Sequence, residues 1–463
     1  MIISRLKIFT VAGVVLKKIL IANRGEVAVR ITRACRELGY EVVAVYSAAD
    51  RDSLHAKLAD QSLCIGPGPS AESYLDIARV MAAVELSGAD AIHPGYGFLS
   101  ENADFAEVCE THQLNFIGPS SEHIRLLGDK ISARRLAQEL EIPLLPGSLG
   151  PVEHGQLHEE AEKIGYPLIL KAAAGGGGRG MKVVAKQEDL ERSYETARAE
   201  AMVAFGSNEC FMERYLPAPR HIEVQVIGDG QGGCVVLGER DCSLQRRHQK
   251  LMEEAPSPAL NEEQRERVYE LACRFIKKTH YRSLGTVEFL YQDDQFYFME
   301  INPRLQVEHP VTEMIYGIDL VKYQLQLAAG LGLGDLAEAQ PRGHSIECRL
   351  NAEDPFRMLP SPGLIKEWYV PGGPGVRMDS MVYSGYRVPY LYDSLLGKLI
   401  VWGKDREEAC RRMERGLSEL KVDGVQTNAE LHREIMAEPV FQKGEVTTRF
   451  LDDFLERRLK KTS

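Results

Sequence analysis

Between about residues 18 and 118 the chain alternates short apolar runs with amphipathic stretches, and this alternation narrows the possible folds more than any other feature. Residues 19–22, 42–46, 63–65, 91–92 and 116–117 are β-type runs. Helical segments separate them; in the first, Val27, Ile31, Ala34 and Leu38 share one face and Gly39 ends it. Strands joined by helical crossovers form a parallel sheet covered by helices on both faces. Ligands of such sheets lie beyond the carboxyl ends of the strands. There this chain carries Asn23-Arg24-Gly25-Glu26 and His93-Pro94-Gly95-Tyr96-Gly97-Phe98. The region is Rossmann-like in pattern but lacks the dinucleotide glycine fingerprint in its first turn.

Pro143, Pro146, Gly147 and Gly150 mark a boundary to a second region. Apolar residues 168–170 lead through Lys171 into Gly175, Gly176, Gly177, Gly178 and Gly180, and residues 181–184 read as the return strand. Glycines let a backbone approach a polyphosphate closely and aim N–H groups at it. A glycine loop between two strands is neither a Rossmann nor a Walker turn, since both of those open a helix. The spelling G-x-G-x-x-G itself carries no weight, because it recurs at residues 228–233 as a hairpin turn. A helix is expected at 189–205, strands at 210–213, 222–227 and 235–238, and a second helix at 262–278. Residues 285–291 and 296–301 should form a hairpin about Asp293-Asp294. Beyond about residue 330 the chain turns strand-rich and closes with a charged helix near 406–420.

The 463 residues suggest about three domains. Lysine plus arginine number 56 against 67 acidic residues, a net −11, which excludes a general nucleic-acid or anionic-membrane binder. Nine cysteines without a C-x-x-C pair indicate neither a zinc ribbon nor a thioredoxin-like site, and fit reduced cytoplasmic thiols. No apolar run approaches the roughly 20 residues of a membrane span. Residues 1–17 form an extension of uncertain role: a non-essential extension or misassigned start is expected, with a weak targeting segment as the alternative, its apolar stretch being short and broken by Lys7 and Thr10.

Chemistry concentrates on charges set in apolar surroundings. Glu288, within Thr286-Val287-Glu288-Phe289, and Glu300, within Phe298-Met299-Glu300-Ile301, interrupt apolar β patterns. A charge there is costly unless it is paired or binds a metal. Strand alternation can put both on one face, where carboxylate oxygens suit Mg²⁺ that also holds ATP phosphates. Lys130 and Lys171 flank the glycine loop as point charges for phosphate.

Longer strings make the pattern specific. Lys171 with its glycine loop, Glu288 and Glu300-x-Asn302 resemble the ATP-grasp superfamily. IANRGE at 21–26, HPGYGFLSEN at 93–102, ERDCSLQRRHQK at 239–250, EINPRLQVEHPVTE at 300–313 and ECRLNAED at 347–354 resemble biotin carboxylases, in order and over nearly the whole chain. The resemblance implies an α/β and α+β multidomain fold. Its parts are a Rossmann-like pre-ATP-grasp domain (18–129), an ATP-grasp domain (130–335) with a mobile lid at about 145–218, and a strand-rich C-terminal domain (336–460).

The implied reaction is carboxylation of biotin N1 by bicarbonate, with ATP making carboxyphosphate and leaving ADP and phosphate. By the same resemblance, Lys130, Lys171, the loop glycines and His221 would contact ATP, with Gln245 and His248 near the nucleotide. Glu213, Arg214 through its backbone, and Leu216 would frame the adenine. Glu288, Glu300 and Asn302 would hold two Mg²⁺ or Mn²⁺ ions. Lys250, Arg304, Gln306, Val307 and Glu308 would bind bicarbonate, with Arg304 offering a planar fork and Glu308 acting as general base. Arg349 would stabilise charge on the ureido oxygen, and Tyr96 would line the biotin pocket.

The only near match to a biotin-attachment lysine, Met181-Lys182-Val183, lies beside the glycine loop and is a decoy. Biotin is therefore expected on a separate carboxyl carrier protein, with carboxyltransferase subunits as further partners. Acetyl-CoA is the first choice of acceptor, and pyruvate or propionyl-CoA the alternative. Another ATP-grasp carboxylate–amine ligase is a more distant reading, and a dead nucleotide sensor would show a broken catalytic position. Ala172–Ala174 give the loop's first residues side chains, which should change lid stiffness more than chemistry. Pro374 stands where the family's dimeric members carry an aromatic residue at their self-association surface; a homodimer is still expected.

Overall fold

The computed structural model describes residues 16–173 and 180–462. The expected alternation folds as a five-stranded, all-parallel sheet in the order β3-β2-β1-β4-β5. Its strands are β1 (Lys18–Ile21), β2 (Glu41–Tyr46), β3 (Gln61–Cys64), β4 (Ala91–His93) and β5 (Asn115–Phe116). The helix Gly25–Glu37 follows β1, and Val27, Ala28, Ile31 and Ala34 pack with β1 residues Ile19 and Ile21. Leu16, within the segment expected as an extension, is buried in this same core. The two loops flagged in the sequence meet beyond the strand ends. Asn23 Nδ2 donates to Pro94 O at 2.6 Å and to Tyr96 O at 2.8 Å.

A separate three-stranded antiparallel sheet, ordered β7-β6-β8, follows. It consists of β6 (Leu168–Ala172), β7 (Met181–Val184) and β8 (Cys210–Arg214), packed under the helix Leu190–Phe205. The glycine loop bridges β6 and β7. Gly175, Gly176, Gly177 and Gly178 lie outside the described residues, as does Ala174, while Gly180 adopts φ +68°.

The largest element is an eight-stranded antiparallel sheet that gathers strands from both remaining regions. Along it run β9 (Arg220–Asp229), β10 (Cys234–Arg246), β11 (Gln249–Ala255), β12 (Arg282–Gln292), β13 (Gln295–Asn302) and β14 (His344–Asn351). Two small ribbons flank it: β15 (Gly363–Leu364) with β18 (Arg387–Val388), and β16 (Glu367–Tyr369) with β20 (Lys421–Asp423). β17 (Val376–Ser380) and β19 (Leu395–Gly403) complete the large sheet in the order β13-β12-β9-β10-β11-β14-β19-β17.

Two sequence expectations need correction. The strand expected at 235–238 runs thirteen residues, because Glu239–Arg246 continues it despite its charges. The chain does not close at residue 420. Helices Ala429–Met436 and Phe450–Thr462 follow Arg406–Glu419 and pack on the outer side of β14 and β19. The C-terminal region is strand-rich as expected, with seven strands, β14 to β20, between residues 344 and 423. The Asp293-Asp294 turn is as expected: both residues have positive φ and join Gln292 to Gln295, the conformation of a two-residue hairpin. Among the described residues, no helix is long and apolar enough to cross a membrane.

Candidate active site

Strand alternation builds the site. In β9, Ile222, Val224 and Val226 point into a core with Phe275 and Ile276 of the helix Glu262–Thr279. The intervening His221, Glu223 and Gln225 point to the other face and are also buried. Register then aligns charges across strands: Glu300 opposes Glu288, Glu288 opposes Glu223, and Glu223 opposes Arg240. Further along the sheet Glu253 opposes Glu347, and Arg349 opposes Lys398. One face of the sheet is thus a buried field of ion pairs. No single strand pattern announces it.

Lys250 sits at its centre. Its ammonium donates to Glu223, to Glu288 at 2.8 Å and to Glu308 at 2.6 Å. Glu308, fully buried at the N-cap of the helix His309–Tyr316, also accepts from Arg349 at 2.9 Å. Burial opposes its charge, but Lys250, Arg349 and Arg240 outweigh burial and hold Glu308 well below the usual carboxylate range. Arg349 donates through Nε to Glu253 at 2.7 Å. Glu288 accepts from Asn302 at 2.8 Å and Gln306 at 3.2 Å, and His221 Nε2 lies 2.7 Å from its second oxygen. Burial opposes its charge as well, yet Lys250 and His221 hold it well below the usual range.

Arg304 donates to Asn302 Oδ1 and Gln306 Oε1, each at 3.0 Å, and pairs with Glu101 at 2.9 Å. The Val307 carbonyl accepts from Lys398 at 2.7 Å. Lys398, buried, also pairs with Glu26 at 3.1 Å, and Glu26 accepts from the Tyr96 hydroxyl. The IANRGE and HPGYGF strings are thereby tied, through Lys398, to the segment around Val307.

The residues expected to meet nucleotide are placed on other elements. Lys171 and Arg134 both donate to Glu213, so that carboxylate anchors a lysine. Lys130 lies 3.5 Å from Glu300. The Arg214 amide donates to Pro146 O at 2.7 Å, and Leu216 follows, half-buried. Gln245 donates to His221 Nδ1 at 3.3 Å. Arg247 and His248 form the two-residue turn between β10 and β11 with φ of 48° and 64°, a left-handed conformation unfavourable for side-chain-bearing residues. Burial and then Lys171 depress the His248 pKa.

The structure brings Lys250, Glu288, Asn302, Arg304, Gln306, Glu308 and Arg349 into one cluster. Lys171 and Glu213 stand apart on the small sheet. Sequence reasoning missed Glu223, Glu253, Glu347, Arg240, Glu26 and Lys398. The signal that flagged Glu288, a charge among apolar strand residues, is also present at Glu223 in HIEVQV and Lys398 in LLGKLI. For a divalent metal, His221, Glu223 and Glu288 bring three ligand atoms within 4.8 Å, and Glu300 faces Glu288 across the ladder. These oxygen-rich donors fit Mg²⁺ or Mn²⁺.

The chain matches the family models for the biotin carboxylase N-terminal domain over residues 15–124, the carbamoyl-phosphate synthase L chain ATP-binding domain over 129–336, and the biotin carboxylase C-terminal domain over 347–453. It is 53% identical to the biotin carboxylase of Haemophilus influenzae over 440 residues, covering 94% of this chain and 98% of the relative. The crystal structure of a biotin carboxylase–β,γ-ATP complex from Campylobacter jejuni is similar at a TM-score of 0.93 and 48% identity, covering 95% of this chain and 99% of that one. So is the biotin carboxylase domain dimer of the Hydrogenobacter thermophilus 2-oxoglutarate carboxylase, solved with MgADP, ADP and bicarbonate. Its TM-score is 0.92 at 45% identity, covering 95% of this chain and 97% of that one. This chain belongs to the biotin carboxylase family.

Proposed function

We propose that this chain carboxylates biotin on a separate carrier protein, using bicarbonate and ATP and releasing ADP and phosphate. The observation that carries the reading is Glu308, a buried carboxylate gripped by Lys250 and Arg349 within one cluster with Arg304 and Glu288. Lys250 and Arg304 supply the positive charge and planar donors that bicarbonate needs. So strongly acidic a Glu308 is a weak base while both cations face it. Bicarbonate and phosphate oxygens drawing Lys250 and Arg349 away would raise its proton affinity at the moment a base is required. Glu308 would then take the bicarbonate proton. Phosphate released from carboxyphosphate would take the proton of biotin N1, and Arg349 would face the ureido oxygen as charge develops there. Tyr96, held by Glu26, would border the biotin ring.

Lys130, Lys171, His221, Gln245 and His248 are the ATP-side groups in this reading, with the glycine run over the phosphates. Glu213, Arg214 and Leu216 lie at the adenine edge. Glu288, Glu300 and Asn302 would hold the Mg²⁺ or Mn²⁺ ions, with His221 and Glu223 in reach. A bound divalent ion neutralises phosphate charge. The relative that belongs to a 2-oxoglutarate carboxylase supports placing acceptor choice on partner subunits rather than here. Acetyl-CoA remains our first assignment, with carboxyltransferase subunits completing the reaction in the cytoplasm. A homodimer is part of the proposal, with exposed Pro374 at its edge; sedimentation of only monomer at micromolar protein would refute it.

The deciding experiment measures ATP hydrolysis with and without bicarbonate and free biotin, together with transfer of labelled bicarbonate to biotin. Hydrolysis that needs bicarbonate, rises with biotin and yields carboxybiotin supports the reading. Hydrolysis indifferent to both, driven instead by an amine, would assign the chain to another ATP-grasp ligase chemistry.

A further inference from the structure

Behind Arg349 lies a pair of acids to which no role has yet been given. Glu253 and Glu347 sit opposite one another on β11 and β14, and both are fully buried. Glu253 uses one oxygen for Arg349, and its other oxygen meets no donor. Neither oxygen of Glu347 meets a donor among the described residues. The charged groups around Glu347 come from four places. Glu253 stands on β11, Arg349 on β14 itself, Lys398 on β19, and Glu308 at the start of the helix packed over them. Asp379 of β17 and His309 of that helix also face Lys398. The cations are already engaged: Lys398 by Glu26 and the Val307 carbonyl, Arg349 by Glu253 and Glu308.

An unpaired buried carboxylate opposite a second carboxylate is unfavourable as an ion, and such a group neutralises by holding a proton. We propose that Glu347 is a positioning residue that shares one proton with Glu253, so that the pair behind Arg349 carries a single negative charge. One charge is enough to anchor Arg349 through Nε. Two would neutralise the guanidinium and hold it back from the ureido oxygen. Burial pushes Glu253 up to about 7 and Glu347 well above the usual carboxylate range, outweighing the pull of Arg349 on the first and of Lys398 on the second.

The proposal rests on the biotin-carboxylating reading for its consequence but not for its proton, and the test separates the two. The infrared spectrum of the wild-type enzyme at pH 7, without substrates, should contain a protonated-carboxyl C=O band that Glu347→Gln removes. The kcat/KM for biotin should fall on the alkaline side as the shared proton is lost, and Glu347→Gln should move that limb up by about one pH unit or more. A merely structural glutamate would move neither. Absence of the band in the wild-type protein would overturn the proton assignment even if the variant fails to fold, and would leave the enzymatic reading intact. A band that survives the substitution, or an alkaline limb that stays in place, would also overturn it.

Discussion

Two lysines stand on different sheets, and their surroundings contrast. Lys171, on the three-stranded sheet, shares one carboxylate, Glu213, with Arg134. Lys250, on the eight-stranded sheet, is held by three carboxylates, Glu223, Glu288 and Glu308. The first arrangement leaves two cations over one anion, a surplus of positive charge suited to incoming phosphate. The second is an anion-rich cage in which a lysine neutralises the acids of the site and fixes their positions. The small sheet has its own core of Leu168, Leu170, Val184 and Met212, separate from those beneath the large sheet. Its packing is therefore independent of the core beneath the caged cluster.

Glu308→Gln tests the caged side most directly. Loss of a positioned base should lower carboxybiotin formation about a hundred- to ten-thousandfold, while ATP binding, measured by nucleotide titration, stays near wild type. Wild-type turnover would remove Glu308 as the base. Lys250→Met should strip the cage of its cation and cost about 3–5 kcal/mol in denaturant unfolding, because several buried carboxylates lose their partner. A loss under about 1 kcal/mol would mean that the cage is not a structural unit.

Acid should weaken the folded state next. His432 Nε2 donates to the Arg349 carbonyl at 2.8 Å, and His55 is buried beside the Arg24–Asp50 pair. Burial lowers both from 6.5 to about 4. Below about pH 6.5 the unfolded chain therefore takes up protons first. Each histidine contributes stability that is full above that pH and falls until about pH 4, by up to about 3 kcal/mol. Melting temperature measured from pH 7 to 4 should fall accordingly, and less steeply in His432→Gln. A flat profile would contradict the neutral state of these rings.

Lys171→Met should act on the open side alone, raising KM for ATP about tenfold with unfolding free energy changed by under about 1 kcal/mol. A stability loss as large as that of Lys250→Met would erase the contrast. The most local effect is expected at Gly95, where φ is +65° and an added Cβ would lie 2.8 Å from Asn23 Nδ2. Gly95→Ala should cost about 1–2 kcal/mol and disturb the loop carrying Tyr96, seen as a weaker response to biotin.

Much of this was legible in one dimension. The parallel sheet showed in the alternation of residues 18–118, and the hairpin at Asp293-Asp294 in its turn residues, because both depend on local periodicity and backbone preference. Glu288 and Glu300 stood out as charges in apolar strands. The extension of β10 through Glu239–Arg246 did not, since a charged run resembles a solvated segment until its partners are known. Arg240, Glu253 and Glu347 were equally hidden, as each is one member of a pair whose other half lies on a different strand.

By itself, then, the sequence determined which chemical groups exist and the local elements that carry them. The family motifs bring the lysines, the arginine fork, the strand carboxylates and the glycine loop. Tertiary structure alone decided which charges neutralise one another. Register across the eight-stranded sheet places Glu288 against Glu223 and Glu253 against Glu347. Burial then makes each pairing matter, because a low-dielectric interior leaves no water to stand in for a missing partner.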